Sequence, residues 1–229
     1  MDKIFTLPDE PYLKGSTERV IEVPWALSCI GDANRVLDVG TAYAEGVYLD
    51  KLFELGIEEL HTIDFADVPR RNHRIYSNST FIKWDVRDEL PYTSDYFDVI
   101  LCISTIEHVG CKNTAYVQND INRNNIKNQD VTSMRNLIRV LRPGGIIVLT
   151  VPYGQYESVF VHSSFVNYNK SRLEFLYADE HVELVRKNIF KNVDGWISAN
   201  EKDVERTKYY NNDHSKGAGA IACCIITKE

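Results

Sequence analysis

The stretch "RVLDVGTAYAEG", residues 35–46, joins an apolar run to a turn rich in glycine and alanine. Asp38 lies near the end of the apolar run, Gly40 opens the turn, and a helical pattern begins near Glu45. A glycine at this place lets the backbone approach a ligand closely, and the N–H groups of the following helix point toward the same ligand. By itself the stretch also fits a tight strand-to-helix bend, so the surrounding sequence has to decide.

Apolar runs of strand length alternate with amphipathic stretches along the chain, which is typical of a parallel sheet covered by helices. The run at 97–104 is apolar on both faces and therefore predicts a central strand. The predicted strands are 35–40, 60–65, 80–85, 97–104, 145–152, 183–190 and 220–228. The predicted helices are 17–30, 45–55, 130–141 and 170–178.

The composition limits the class of protein. With 229 residues the chain can bury a sizeable core, and we expect a single domain over 1–229. The formal charge of −7 and the lack of a basic run disfavour a nucleic-acid partner. The sequence has neither a signal-peptide pattern nor a membrane span, so we expect a cytoplasmic protein without a membrane partner. Five cysteines without C-x-x-C spacing predict reduced thiols.

Two stretches are longer than the usual connections in a compact domain. Residues 110–129 are rich in asparagine, and residues 195–219 interrupt the last two predicted strands with aromatic and charged residues. Stretches of this kind are usually lids, binding loops or disordered segments, and we expect both to be substrate loops. The remaining parts are an N-terminal helical segment, 1–34, and a cofactor-binding core, 35–154.

Acidic residues also stand at the ends of the next two predicted strands. Asp64 can accept hydrogen bonds from both hydroxyls of a ribose, and Phe65 beside it can lie against an adenine ring. Asp85 can accept a hydrogen bond from an adenine amino group, and Val86 offers a backbone N–H to the ring. Together with Asp38, these residues predict a site for an adenosine-containing cofactor, which the turn alone does not.

The order of these segments resembles the class I S-adenosylmethionine-dependent methyltransferases. The likeness within 35–154 rests on "RVLDVG", "TIDFAD", "WDVRD", "FDVILCISTIEHVG" and "LRPGGIIVLTVPYG". Further segments resemble a bacterial subgroup and extend the likeness to nearly the whole chain: "ERVIEVPW" (18–25), "STIEHVG" (104–110), "DGWISANEKD" (194–203) and "GAGAIACCII" (217–226). The resemblance implies a doubly wound α/β fold with a mostly parallel, seven-stranded sheet whose last strand is antiparallel.

The resemblance also implies S-adenosylmethionine as the cofactor and assigns residues to its parts. Asp38 and the turn would hold the methionine end, Asp64 the ribose, and Asp85 with Val86 the adenine. Ser104, which follows the fourth predicted strand, would line the region of the sulfonium and its methyl group. The turn residues concerned are Gly40, Thr41, Ala42 and Tyr43.

Two residues after the fourth predicted strand are candidates for catalysis. Glu107 and His108 lie in "STIEHVG", near the place where acceptor and methyl group should meet. A histidine is suited to remove a proton from an acceptor hydroxyl at neutral pH. The alternative is that His108 only lines the cofactor or bonds a loop, and that Glu107 caps or pairs locally. No residues stand at metal-ligand spacing, so no metal is predicted.

We therefore predict an enzyme that transfers a methyl group from S-adenosylmethionine to a small-molecule acceptor, with oxygen favoured over nitrogen and carbon. The likeness to the bacterial subgroup implies a sugar or glycan precursor. Two alternatives stay open at this point. A NAD-dependent oxidoreductase would use the same strand, turn and helix, although "GTAYAEG" lacks the G-x-G-x-x-G pattern. A catalytically idle scaffold protein would bind the cofactor without turnover.

Overall fold

The structure is a computed structural model that describes residues 5, 7, 12–13, 15–111, 128–160, 164–209 and 217–229. These residues form ten β-strands, six α-helices and two 3₁₀ turns. The strands are β1 Arg35–Val39, β2 Glu59–Asp64, β3 Thr80–Lys83, β4 Phe97–Ile103, β5 Leu141–Pro152, β6 Glu157–Phe160, β7 Ser164–Asn167, β8 Val182–Asn192, β9 Trp196–Ala199 and β10 Ala220–Lys228. The helices are α1 Arg19–Leu27, α2 Gly46–Glu54, α3 Ile75–Asn78, α4 Gln129–Val140, α5 Lys170–Leu176 and α6 Glu201–Val204. The 3₁₀ turns are Arg70–Asn72 and Ile106–His108.

Eight of these strands form one sheet, in the order β3-β2-β1-β4-β5-β10-β8-β9. The five strands from β3 to β5 in this order pair in parallel, whereas β10 is antiparallel to both of its neighbours, β5 and β8. The chain runs from β1 outward to β2 and β3, and it then returns to the other side of β1 to form β4 and β5. This reversal places a topological switch point between β1 and β4, where open α/β sheets bind ligands beyond the carboxyl ends of their strands.

Helices cover both faces of the sheet, and each face carries an apolar core. On one face the strands pack against α4, α5 and α6, and Met134 and Leu137 of α4 are fully buried there. On the other face they pack against α1, α2 and α3, with Trp25 and Leu49 fully buried. Since alternate side chains of a strand point to opposite faces, Asp38 in β1 points toward the second face, between α1 and α2.

The predicted fold class is confirmed, and each of the seven predicted strands is present. The sheet contains an eighth strand, β9, which pairs with β8 at the edge. Sequence periodicity missed β9, in which only Trp196 is buried. Tertiary contacts hold it: Trp196 is fully buried and exchanges two backbone hydrogen bonds with Tyr12, at 2.9 and 2.8 Å. Strand β5 begins at Leu141 rather than at 145, because Leu141 pairs with Phe97 before the register shifts.

The structure describes the two predicted substrate loops to different extents. The 195–219 stretch contains β9 and α6 and is therefore not a continuous loop, while its residues 210–216 lie outside the described residues. Most of the 110–129 stretch, residues 112–127, also lies outside them. Within the described part of the chain, no helix is long and apolar enough to cross a membrane.

Candidate functional site

A cavity of about 280 Å³ opens at the carboxyl ends of β1, β2 and β4. Its walls come from α1, from the turn after β1, from the ends of β2 and β4, and from the segment after β3. We call it the strand-end cavity. It lies at the switch point of the sheet, where the fold favours ligand binding. The predicted site residues that line it are Asp38, Gly40, Tyr43, Asp64, Phe65, Asp85, Val86, Ser104 and His108.

Asp38 is almost completely buried at the base of the cavity. The Tyr48 hydroxyl donates to Oδ1 at 2.7 Å, and the Thr41 hydroxyl donates to Oδ2 at 2.7 Å. Burial raises the pKa of Asp38 to about 7, although both hydrogen bonds act in the opposite direction, and the nearby Asp64 raises it further. The carboxyl group is therefore poised to ionise when a cation enters the cavity.

The turn after β1 depends on Gly40 for two reasons. Its φ of +87° lies in the left-handed region, and a Cβ built on it would lie 2.3 Å from Oγ1 of Thr105. The close approach is thus to a side chain of the protein. Asn72, which the sequence analysis did not single out, stabilises the turn. Its side-chain amide donates to the carbonyls of Ala42 and Ala44, both at 2.9 Å.

Thr41 and Ala42 lie behind the cavity wall and do not line it. Both are buried, and their groups support the acidic residues in the wall. The Thr41 hydroxyl donates to Asp38, while the Ala42 N–H donates to Oδ2 of Asp64 at 2.9 Å. Tyr43 does line the cavity, and the guanidinium of Arg71 lies 5.7 Å from its ring centre.

Asp64 is the last residue of β2 and lines the strand-end cavity, and each of its carboxylate oxygens accepts a hydrogen bond from one backbone N–H. The Ala42 N–H donates to Oδ2, and the Ala66 N–H donates to Oδ1, each at 2.9 Å. Burial raises the pKa of Asp64 to about 6, against the backbone hydrogen bonds, which lower it. Because each carboxylate oxygen can accept more than one hydrogen bond, Asp64 keeps acceptor capacity toward the cavity.

Asp85 is held by a partner that the sequence analysis did not identify. The guanidinium of Arg87 donates from Nε to both carboxylate oxygens at 2.9 Å and from Nη2 to Oδ2 at 2.6 Å. Both residues line the cavity, together with Val86 and Trp84. Asp85 is therefore shared between Arg87 and whatever group enters this end of the cavity.

Ser104 follows β4 with a φ of +42°, an uncommon conformation for a residue other than glycine. Its N–H donates to the carbonyl of Thr150 at 3.1 Å, and its hydroxyl donates to Oε1 of Glu22 at 2.7 Å. Strained backbone of this kind is concentrated at functional sites. Glu22 belongs to α1, so the N-terminal segment contacts the end of β4 directly.

The two catalytic candidates point in different directions. His108 lines the cavity, and its ring stands edge-on to Phe165 with the centres 5.9 Å apart. Glu107 is buried away from the cavity, and among the described residues its Oε2 has no hydrogen-bond partner. Burial raises the pKa of Glu107 to about 8. The arrangement therefore brings His108 to the cavity and leaves Glu107 outside its wall.

Residues 30–205, more than half of the chain, match the sequence profile of a family described as a methyltransferase domain. The chain belongs to this methyltransferase family. The resemblance seen in the sequence is thereby confirmed, and the alternatives of an oxidoreductase and an idle scaffold give way to a methyltransferase. No curated protein sequence is significantly similar to this methyltransferase.

Solved structures of methyltransferases share its fold at low sequence identity. A Burkholderia thailandensis 1,6-didemethyltoxoflavin-N1-methyltransferase, crystallised with 1,6-didemethyltoxoflavin and S-adenosylhomocysteine, is 14% identical with a TM-score of 0.58, over 91% of this chain and 79% of that one. A SAM-dependent methyltransferase from Methanosarcina mazei is 12% identical with a TM-score of 0.59, over 86% and 93%. The N-methyltransferase NodS from Bradyrhizobium japonicum, bound to S-adenosylhomocysteine, is 14% identical with a TM-score of 0.53, over 92% and 86%.

Other polar residues of the methyltransferase have structural partners. The hydroxyl of Tyr153 donates to Glu201 at 2.7 Å, and the hydroxyl of Tyr168 donates to Asp130 at 2.8 Å. These two buried tyrosines therefore have a structural role. Within the described residues, no three His, Cys, Asp or Glu side chains form a group that could hold a metal ion. All five cysteines lie in the described part of the chain and are free.

Proposed function

We propose that this methyltransferase binds S-adenosylmethionine in the strand-end cavity and transfers its methyl group to an oxygen atom of a small-molecule acceptor. The cofactor is S-adenosylmethionine, whose sulfonium activates the methyl group for transfer, because the neutral thioether S-adenosylhomocysteine is a good leaving group. The observation that carries the proposal is that Asp38, Asp64 and Asp85, from three neighbouring strands, line one cavity. An adenosine with a positively charged amino-acid tail offers donors or cations to all three.

The donor set of the cavity fits the parts of this cofactor. Asp64 accepts the ribose hydroxyls with the lone pairs that its two backbone donors leave over. Phe65 and Val86 contact the adenine from the adjoining wall, and Asp85 with Arg87 forms the polar end of the adenine site. Asp38 faces the ammonium group of the methionine part, and its ionisation is favoured by that charge.

The methyl end of the site is formed by Ser104 and His108. Methyl transfer is accelerated mainly by holding the acceptor and the methyl group at near-attack distance. Ser104 is fixed by its hydrogen bonds to Glu22 and Thr150, and it gives this end of the wall a rigid polar surface. His108 lies in the same wall and takes the proton from an acceptor hydroxyl.

A small molecule is the proposed acceptor class, and a sugar or glycan-precursor hydroxyl is the first to be tested. Support for a small acceptor comes from the net charge of −7, which disfavours a polyanion such as nucleic acid. Two of the structural neighbours are named as N-methyltransferases. At 14% identity this likeness concerns the fold, so oxygen remains the proposed acceptor atom. The five free thiols support a reducing compartment such as the cytoplasm.

Calorimetric titration tests the cofactor assignment. We expect S-adenosylmethionine and S-adenosylhomocysteine each to bind with one site per chain, and NAD to produce no binding heat. Binding of NAD with no response to either adenosyl ligand would overturn the assignment.

Turnover tests the acceptor assignment. The protein is incubated with S-adenosylmethionine and a panel of sugars, amines and phenols, while formation of S-adenosylhomocysteine is followed and mass spectrometry locates the new methyl group. We expect methylation at oxygen. A product methylated only at nitrogen would contradict the oxygen assignment and leave the cofactor assignment intact.

A further inference from the structure

Three buried carboxyl groups lie together beside the methyl end of the site. Glu18 and Glu22 are one helical turn apart at the start of α1, and the exposed fractions of these residues are 8% and 0%. Glu107, in the 3₁₀ turn after β4, is 3% exposed. Its carboxyl group interacts electrostatically with those of Glu22 and Glu18, so the three groups are neighbours. We call them the carboxyl cluster.

The carboxyl cluster has more acidic groups than cationic partners. Glu22 is paired, because Nη1 of Arg19 donates to its Oε2 at 3.1 Å and the Ser104 hydroxyl donates to its Oε1 at 2.7 Å. Among the described residues, Glu18 and Glu107 form no ion pair, and Oε2 of Glu107 has no hydrogen-bond partner. A buried carboxylate without a cation is costly. Burial accordingly raises the pKa of both groups, that of Glu107 to about 8, which favours their uncharged forms until a cation binds.

The chain around Glu18 is shaped to fit its carboxyl group. The Ala218 N–H donates to Oε2 at 3.1 Å, and a Cβ built on Gly217 would lie 2.3 Å from the same oxygen. The Tyr209 hydroxyl lies 3.5 Å from Oε1, which is long for a hydrogen bond. Because a carboxylate oxygen accepts more than one hydrogen bond, Oε1 keeps capacity for a stronger donor.

Aromatic rings connect Glu18 to the methyl end of the site. The ring of Tyr209, whose hydroxyl contacts Glu18, lies against Phe165 with the ring centres 4.0 Å apart. Phe165 in turn stands edge-on to His108 at 5.9 Å, and His108 lines the strand-end cavity together with Ser104. Glu18 and Tyr209 are therefore neighbours of the place where the acceptor hydroxyl meets the methyl group.

We propose that the acceptor carries an ammonium group in addition to the hydroxyl that is methylated, and that Glu18 binds this ammonium group beside the Tyr209 ring. The cation supplies the counter-charge that the carboxyl cluster lacks, and an aromatic ring is a favourable neighbour for it. Amino sugars combine both groups and belong to the sugar acceptors already proposed. The inference rests on the proposed function, because it needs a methyl group presented at Ser104 and His108. Glu107 contributes its charge and does not contact the acceptor.

Amino sugars and their neutral counterparts provide matched probes. Glucosamine, galactosamine and mannosamine are each compared with the parent hexose and with the N-acetylated sugar, which differ from them at one position. Protein saturated with S-adenosylhomocysteine is titrated with each sugar by calorimetry. In the wild type we expect at least one amino sugar to bind about ten- to a hundredfold more tightly than both neutral counterparts, the range of a charge-assisted hydrogen bond.

Three variants separate recognition of the cation from general damage. Glu18→Gln removes the charge and nearly keeps the shape, so the preference for the amino sugar should fall to within about threefold, with the affinity for S-adenosylhomocysteine changed no more than that. Glu107→Gln should reduce the preference by several-fold, because its charge acts without contact. Glu54→Gln, which changes an exposed carboxylate at the end of α2, should keep the full preference.

Several results would overturn the proposal. One is a wild type that binds no amino sugar better than its neutral counterparts; another is a preference that survives Glu18→Gln. If Glu18→Gln no longer binds S-adenosylhomocysteine, Glu107→Gln decides, and an undiminished preference there counts against the proposal. In turnover, a methyl group found on the amino nitrogen would also overturn it, because that nitrogen would then lie at the methyl group and not at Glu18. A wild type that fails to bind S-adenosylhomocysteine would instead refute the proposed function.

Discussion

Replacement of Asp38 by asparagine tests whether its charge is maintained for function at the expense of stability. Both donors to Asp38 are hydroxyl groups, from Tyr48 and Thr41. In Asp38→Asn, the Tyr48 hydroxyl can still donate to Oδ1, and the new amide can donate to the Thr41 oxygen. The Thr41 hydroxyl then keeps the backbone carbonyl of residue 38, which lies 3.0 Å away, as its acceptor. The substitution therefore leaves the Tyr48 hydroxyl, the Thr41 hydroxyl and the new amide each with a hydrogen-bond partner.

The size of the effect follows from the pKa of Asp38. The pKa of Asp38 is about 7 in the folded protein against 3.8 for an ordinary aspartate, so the folded state binds this proton more tightly than the unfolded state does. Wild-type stability from this group is present below about pH 4 and is lost as the pH rises to about 7. Asparagine does not titrate, so Asp38→Asn should gain about 2 to 4 kcal/mol in free energy of unfolding relative to wild type over that interval.

Urea denaturation between pH 4 and pH 8 measures the difference, with Asp98→Asn as the matched control. Asp98 is away from the strand-end cavity, and although partial burial opposes it, the N–H groups of Arg35 and Asn34 and the Arg142 guanidinium lower its pKa. Asp98→Asn should therefore be less stable than wild type at neutral pH, and its deficit should shrink only in acid. The two variants should show opposite signs at pH 8.

Cofactor binding supplies the second half of the test. Asp38→Asn should bind S-adenosylmethionine at least tenfold more weakly at pH 8, because the ammonium group of the cofactor loses its anionic partner. Asp98→Asn should bind it as the wild type does. If Asp38→Asn shows the same stability difference from wild type at pH 4 and pH 8, the charge of Asp38 is not destabilising. If its cofactor affinity is unchanged, Asp38 does not hold the methionine end.

Three further substitutions have definite expected outcomes. Gly40→Ala should lower the free energy of unfolding by about 3 kcal/mol or more, because its Cβ would meet Thr105 at 2.3 Å; Gly56→Ala, with positive φ but open space, should lose only about 1 to 2 kcal/mol. Asp64→Asn replaces a carboxylate oxygen with an amide donor, which removes acceptor capacity for the ribose hydroxyls and leaves one of two backbone N–H donors without an acceptor, so calorimetry should show S-adenosylmethionine affinity reduced more than tenfold. His108→Ala should lower kcat by about a hundred- to ten-thousandfold in steady-state assays, with cofactor affinity changed only a few-fold. Preserved kcat with weakened cofactor binding would make His108 a binding residue.

Much of the cavity wall could be predicted because its residues lie at or near the carboxyl ends of strands. A strand can be recognised from the two-residue period of its own sequence. The residues at its carboxyl end then lie where the neighbouring parallel strands also end. Asp38, Asp64 and Asp85 were found in this way, whereas Ser104 came from the resemblance to the family, and all four line the cavity. The sequence did not predict in which direction individual side chains point. Glu107 and His108 are neighbours in sequence, yet only His108 lines the cavity.

The sequence by itself determined the α/β class, the positions of seven strands along the chain and the acidic strand ends, since these depend on local periodicity and on where each apolar run stops. Only the tertiary structure decided which groups meet across the chain. Glu22 and Ser104 are 82 residues apart and share a hydrogen bond, and the same Glu22 carboxylate accepts a hydrogen bond from Arg19, which lines the cavity. The short strand β9 likewise forms because Trp196 is buried and bonded to Tyr12. Such contacts depend on burial and on partners distant in sequence, which no local pattern encodes.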